Sequence, residues 1–235
     1  MPRLRADISG KRLRELMDAA LGVFCRQGFE RTQMADVAKT MSVAVGTLYL
    51  YVESKEALFD LVIRHTAMDD PWWLDSIEIP VATPAPGSTV EFLRSVFGKK
   101  GQWPLLEAAL KRDRADDPLE ELDGVVREQD RLMARLRGGL LLLMRSTLEF
   151  PALSDVFVFG LRKKLLALLE RYIVARADAG QFRRPTDIAI TAAALTQTIA
   201  WANLQRPYDP GFATLDDQAV EDSTVELLVH SLLAA

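Results

Sequence analysis

Cysteine is almost missing from this chain. Cys25 is the only one among 235 residues, which excludes an intrachain disulfide and any site assembled from several thiolates. Histidine is nearly as scarce, since His65 and His230 are the only two. That is too few for a histidine-rich metal site or a well-supported catalytic relay. Long apolar runs are absent as well: stretches such as Leu140–Met144 reach five residues, where a membrane-spanning helix needs roughly 20. Near the start, Arg3 and Arg5 are followed by no apolar core and no small-residue cleavage site, so no export signal is expected. Together these absences predict a protein of the reducing cytoplasm, with no metal and no cofactor.

Apolar residues make up 49% of the chain, enough for a sizeable core. A length of 235 residues suits a small domain joined to a larger one. The net charge of −4 conceals an uneven distribution. Residues 1–55 carry nine Lys/Arg against six Asp/Glu, or +3, while the other 180 carry 20 against 27, or −7. The positive end is the N-terminal one, and it is the place to look for a surface that meets a polyanion.

No segment alternates with a period of two, and no repeat or low-complexity tract appears, so the predicted fold is all-α. In residues 10–28, Leu13, Leu16, Met17, Ala20, Leu21 and Phe24 recur at three- and four-residue steps, and Gly28 stops the run. Cys25 joins that face as a small packed residue. Thr32 is placed to cap a second helix over roughly 33–40, with Val37 and Ala38 facing inward. A break at residues 40–42 follows, then a third helix at about 44–52. Ser54 caps a fourth, whose inner face includes Leu58, Leu61, Val62 and His65. Pro71, Pro80, Pro84, Pro86 and Gly87 rule out a helix over 71–87 and mark a lid, a linker or an insertion. Further helices are predicted at 88–98, 102–113, 118–149, 152–180, 186–204 and 214–234, with Gly138–Gly139 kinking or dividing the third of these.

Two short helices across a tight break, running straight into another helix start, form the arrangement in which one helix braces a second in a DNA groove. The motif is carried by Phe24, Gly28–Phe29, Thr32, Asp36–Val37–Ala38, Val43, Gly46–Thr47–Leu48–Tyr49, Tyr51, Ser54–Lys55–Glu56 and Leu58. On these residues the chain resembles the TetR family of bacterial transcriptional regulators over about residues 10–70. Leu48 and Val52, one turn apart, suit the anchoring of a third helix. Gly46 allows close approach to a DNA backbone, and Ser54 caps a helix whose first amides face a phosphate.

The resemblance implies an all-α protein with two parts. Residues 1–70 would form a basic arm and a three-helix helix-turn-helix DNA-binding domain, and residues 71–235 a larger helical bundle for effector binding and dimerisation. It implies that residues 44–51 enter the major groove of a double-stranded DNA operator, and that Tyr49 and Lys55 grip phosphates. The candidate DNA-binding residues are Thr32, Gln33, Ala44, Val45, Gly46, Thr47, Tyr49, Leu50, Tyr51 and Lys55; Tyr51 alternatively packs against the fourth helix. Arg3, Arg5, Lys11, Arg12 and Arg14 form a flexible arm that either supplements phosphate binding or is simply solvated.

Several positions depart from the family pattern. Ser42 stands where a glycine is usual, so a left-handed turn there is more costly. Ala44 replaces the usual capping serine, Val45 a frequently polar groove-facing residue, and Ala35 a commonly basic one. Val45 either meets thymine methyls or packs against Leu48, and fewer polar side chains remain to read base edges.

In the larger part, Leu161, Leu165, Leu168 and Tyr172 make one stripe that Leu166, Leu169 and Ile173 widen, as in a helix buried from more than one side. Ala189, Ala192, Ala193, Thr196 and Ala200 would let another helix approach closely, and Val225, Leu228, Val229 and Leu232 form a narrow stripe. These two helices, 186–204 and 214–234, either pair with their copies in a homodimer or complete the monomer core. Phe92, Trp103, Met133, Met144, Phe157, Tyr172 and Trp201 are candidate lining for an apolar or amphipathic effector, and each is also an ordinary core residue type.

No catalytic cluster is found. Gly98–Lys99–Lys100–Gly101 lacks the spacing and preceding strand of a phosphate loop, and the acidic stretch from Asp113 to Asp123 reads as a solvated helix start. The predicted function is therefore a ligand-responsive repressor that binds a palindromic operator as a dimer. The alternative is an all-α small-molecule-binding protein whose DNA head has weakened.

Overall fold

The helical periodicity is realised almost everywhere in the computed structural model, which describes residues 2–67, 73–100 and 103–234, with side chains left aside at 2–9, 75, 99 and 100. In chain order the helices are α1 (Pro2–Gln27), α2 (Met34–Thr40), α3 (Val45–Leu48), α4 (Lys55–Ala67), α5 (Ser88–Lys100) and α6 (Pro104–Ala109). They continue with α7 (Pro118–Arg135), α8 (Arg137–Ser146), α9 (Pro151–Ser154), α10 (Lys163–Asp178), α11 (Ile188–Ala200) and α12 (Asp217–Leu232). Among the described residues the extended structure is limited to two single-residue bridges, Val52 with Val81 and Phe182 with Leu233. The expected boundary at 70/71, Pro71 and Gly101 lie outside the described residues.

Contacts divide the chain into two compact units: residues 1–97 with 138–156, and residues 98–137 with 157–235. In the first, Leu13, Leu16, Met17, Ala20 and Phe24 of α1 are buried with Val37, Ala38, Leu48, Leu58, Leu61 and Val62, as their spacing predicts. α5 is tied to α4 through buried Asp60, which accepts from Thr89 Oγ1 at 2.6 Å and Arg64 Nε at 2.7 Å. α8 also packs here. A Cβ on Gly138 would lie 2.9 Å from Leu21, and one on Gly139 2.8 Å from Thr66. The paired glycines therefore serve close helix approach, while the break between α7 and α8 falls earlier, at Leu136. Burial pushes the Cys25 thiol up to about 11, which leaves it protonated and unreactive at neutral pH.

The second unit is organised around a charge with no exposed surface. Arg176 is 0% exposed. It donates to both oxygens of Glu121 at 2.7 and 3.2 Å, to Arg112 O at 3.0 Å and to Ala109 O at 2.7 Å, so one guanidinium joins α6, α7 and α10. Glu121 thus differs from the solvated acid expected of its stretch. Asp117 does match that expectation, capping α7 by accepting from Leu119 N and Glu120 N. Gln181 closes the unit from another side, exchanging two hydrogen bonds with the backbone of Ala115 at 2.9 and 2.7 Å.

Three predicted helices differ in form. α6 ends at Ala109 because turns carry residues 110–117 instead. The helix expected over 152–180 contains a π-helical stretch, Asp155–Arg162, and α11 runs on into another, Trp201–Gln205. Residues 2–9, expected as a flexible arm, continue α1. The stripe Val225, Leu228, Val229 and Leu232 is buried in this unit's own core together with Ala192, Ile199 and Tyr172. Of the two readings open for those residues, completion of the core is the one realised.

Asp130 of α7 is buried and accepts from Asn203 Nδ2 at 2.7 Å. Burial raises its carboxyl above the ordinary range, and Glu221 reinforces this against Asn203, Arg137 and Arg127. A carboxyl whose folded pKa is raised weakens folding as pH climbs through that pKa, since the native state must then hold a buried charge. Asp130→Asn keeps an acceptor for Asn203, so it should raise the melting temperature at neutral pH. The gain should fade as pH falls toward the carboxyl's ordinary value of 3.8. A thermal melt series over pH checks this.

Candidate nucleic-acid interface

The turn between α1 and α2 is held by charged groups from two other parts of the first unit. Gly28 ends α1 with φ +81°, a conformation that favours glycine, and a Cβ there would stand 2.3 Å from Glu149 Oε1, so the carboxylate would have to shift from this turn. Glu149 Oε2 accepts from Phe29 N at 2.7 Å and Glu30 N at 3.2 Å. The carbonyls of the same turn face Lys55. Its Nζ donates to Phe29 O at 2.8 Å, Glu30 O at 3.3 Å and Thr32 O at 3.0 Å, and lies 4.2 Å from the centre of the Phe29 ring. The ring of Phe29 in turn packs against Phe24, Phe59 and Phe150.

These contacts revise two expectations. An ammonium has three protons to donate, and those of Lys55 meet three backbone carbonyls rather than standing free for a phosphate. Thr32 is 1% exposed and its hydroxyl donates to Gly28 O at 2.6 Å, so its side chain faces inward and caps the end of α1. The residue preceding α2 is Gln33, whose N–H donates to Asp36 Oδ2 at 2.9 Å. Gln27 also donates to Asp36, and these bonds hold its carboxyl below the usual range.

Ser42 adopts φ +56° in the break between α2 and α3, the left-handed conformation foreseen for a residue standing where glycine is usual. It carries a cost of about 1–2 kcal/mol. The helix that follows is far shorter than the predicted 44–52. α3 ends at Leu48, and residues 49–52 continue as tight turns through Leu50 N to Thr47 O at 3.3 Å and Tyr51 N to Leu48 O at 2.9 Å. Ala44 at the N-cap makes no side-chain bond, as its methyl group dictates.

Leu48 and Val52 are buried as expected and fix one side of this turn. The other side is a row of exposed residues: Ala44, Val45, Gly46, Tyr49 and Leu50, the last two 47% and 68% exposed. Gln33 is exposed too, and Thr47 and Tyr51 are half-buried. A Cβ on Gly46 would meet nothing within 4 Å, so the chain's own packing does not ask for glycine there. Eight of the ten candidates are therefore exposed or half-buried, while Thr32 and Lys55 bond to the backbone of the α1–α2 turn.

The candidate effector residues are divided between the two units. Phe92 and Met144 belong to the first unit, where Arg64 lies 4.5 Å over the Phe92 ring. Trp103, Met133, Phe157, Tyr172 and Trp201 belong to the second. Tyr172 is core, with its hydroxyl donating to Glu121 at 3.1 Å, and Trp201 packs edge-on against Phe212. Glu149 is the residue that sequence reasoning missed. Its partners lie 120 and 119 positions earlier, and no local pattern signals such a contact.

A family model described as bacterial regulatory proteins, tetR family, matches residues 16–62, the span from mid-α1 to α4 that carries this surface. Over that span the chain matches the TetR family. It is 38% identical over 69 residues to the HTH-type transcriptional regulator YfiR of Bacillus subtilis, a match covering 29% of this chain and 33% of that protein. The chain thus spans about a third of the length of the curated relatives it matches. The fold is shared more widely. The ketosteroid transcriptional regulator KstR2 of Mycobacterium tuberculosis superposes with a TM-score of 0.55 at 16% identity, over 95% of this chain and 96% of that one. AibR, in complex with isovaleryl coenzyme A and operator DNA, gives 0.51 at 18%, over 93% and 98%. The relatives are regulators rather than enzymes. Among the described residues no helix is long and apolar enough to cross a membrane, and no cluster of His, Cys, Asp or Glu is arranged to hold a metal.

The contacts of Lys55 and the open space at Gly46 separate scaffold from surface. Lys55→Ala leaves three carbonyls without their charged donor and should lower stability by about 1–3 kcal/mol. Gly46→Ala should leave the urea midpoint unchanged or raise it. Equal effects from both would contradict the assignment.

Proposed function

We propose that this protein is a ligand-responsive transcriptional repressor of the TetR family that binds a palindromic DNA operator as a homodimer. The observation that carries the DNA reading is the exposed row from Ala44 to Leu50, set on a scaffold whose own packing leaves Gly46 open. Val45 and Leu50 offer apolar contact to thymine methyls, and Tyr49 offers a hydroxyl to a phosphate. Gln33, Thr47 and Tyr51 complete the surface, while Lys55 acts by holding the α1–α2 turn in place.

The dimer is supported by the faces of α11 and α12 that the core does not use. Ile190 and Leu227 are 68% and 63% exposed there, apolar side chains that the matching face of a second copy would cover. Two heads would read half-sites roughly 34–36 Å apart. An effector in the second unit is supported by two buried donors, Trp103 Nε1 and Gln129 Nε2, that lack an acceptor among the described residues. A ligand oxygen would complete either. AibR, of like fold, occurs with isovaleryl coenzyme A, which joins an apolar chain to a polar carrier as an amphipathic effector does. Coupling of ~1–3 kcal/mol between effector and DNA would change operator affinity roughly 5–150-fold.

Selection of binding sequences from random duplexes, followed by footprinting, tests the DNA reading. A symmetric protected site is expected, with affinity that falls steeply as salt rises and falls again in Tyr49→Ala and Leu50→Ala. The second reading, a small-molecule-binding protein with a weakened head, is favoured by the capless Ala44, and it predicts that no sequence is enriched. For the dimer, sedimentation should show two copies in the native protein and one in Leu227→Glu. A monomeric native protein at micromolar concentration would sink this part of the proposal.

A further inference from the structure

The proline-rich stretch ahead of α5 does not hang free of the head. Val81 N donates to Tyr51 O at 2.8 Å, and Glu53 N donates to Val81 O at 3.0 Å, which makes one rung of parallel β-pairing between Val52 and Val81. Two residues on, Thr83 N donates to Glu53 Oε2 at 3.0 Å, and the hydroxyls of Thr83 and Ser54 are 2.8 Å apart. Ser54 Oγ also accepts from Ala57 N at 3.0 Å, so the strap engages the residue that caps α4.

We propose that Val81 and Thr83 are positioning residues for DNA recognition, setting the backbone of 51–54 and through it the aim of Tyr49 and Leu50. This rests on the DNA-binding reading above. α3 has four residues, whereas a helix standing alone needs about 12–15, so its orientation comes from tertiary contacts. Leu48 and Val52 hold the turn from the core side, and the strap holds it at Tyr51, Glu53 and Ser54. Pro80, Pro84 and Pro86 restrict the strap's own backbone, so little further freedom is lost in holding it there. The stretch from Thr66 to Leu93 contains no Lys or Arg. The strap therefore brings no cation to a phosphate and acts through the backbone it pairs with.

The test compares the full-length protein with Val81→Pro, which removes the N–H that meets Tyr51 O, and with Thr83→Val and Thr83→Ser. Each is titrated against the duplex enriched from random sequences and against a scrambled duplex of equal length. Val81→Pro should lose about tenfold in affinity for the enriched duplex. Its affinity for the scrambled duplex and the salt dependence of that affinity should not change, because no charge was removed. Thr83→Val should show a smaller loss of the same kind, and Thr83→Ser should restore the native value. Should Val81→Pro fail to fold, the Thr83 pair decides. Equal loss on both duplexes, tighter binding on losing the strap, or native discrimination in the folded variants would overturn the proposal. Failure of the native protein to enrich any duplex would instead count against DNA recognition itself.

Discussion

One backbone turn, residues 28–32, holds the head of this protein together. Its amides point at a carboxylate from beyond α8 and its carbonyls at an ammonium from the first residue of α4. Each charge meets backbone dipoles of complementary sign, and bonds of this kind are worth about 1.5–3 kcal/mol apiece, more than neutral ones. The end of α1, the start of α2, the start of α4 and the tail of α8 all converge there. Phe29 extends the junction into an aromatic cluster with Phe24, Phe59 and Phe150. The exposed turn over residues 44–50 is only as well placed as this junction is rigid.

The second unit uses a comparable device at greater depth. Arg176 and Glu121 are both withdrawn from water, where an ion pair is poor evidence of net stability because desolvation opposes the attraction. What it supplies is geometry. Arg176 satisfies the backbone carbonyls of Ala109 and Arg112 as well as the carboxylate, so α10 has one register in which these four bonds all form. Arg206 repeats the pattern after α11, donating to Ala202 O and Leu215 O and pairing with Asp217.

Much of this was legible beforehand where a residue's chemistry depends on local geometry. Leu13, Leu16 and Leu48 face the core as their spacing dictates, Ser42 takes the left-handed conformation, and Ala44 leaves its helix uncapped. Legibility failed where a side chain had two chemically equivalent destinations. The ammonium of Lys55 suits carbonyls as well as phosphates, and the stripe from Val225 to Leu232 suits its own core as well as a partner's. The strap was beyond reach for a different reason. Its pairing runs through the main chain of Val81 and Tyr51, which any pair of residues supplies, so composition marked 71–87 as non-helical without saying where it goes, and it missed the short 3-10 helix Trp73–Ser76 within that stretch. The π-helical stretches at Asp155–Arg162 and Trp201–Gln205 likewise follow no side-chain code.

The clamp at Glu149 also bears on modularity. The first compact unit is discontinuous: it takes residues 1–97 and then, after an excursion of forty residues, 138–156. A segment cut out as residues 1–70 would contain the whole family motif and yet lack Glu149, Phe150 and the glycine-lined face of α8. The head is therefore not a cassette to be transplanted onto another scaffold. The smallest transplantable piece is defined by the contacts of a glutamate that lies outside the motif altogether.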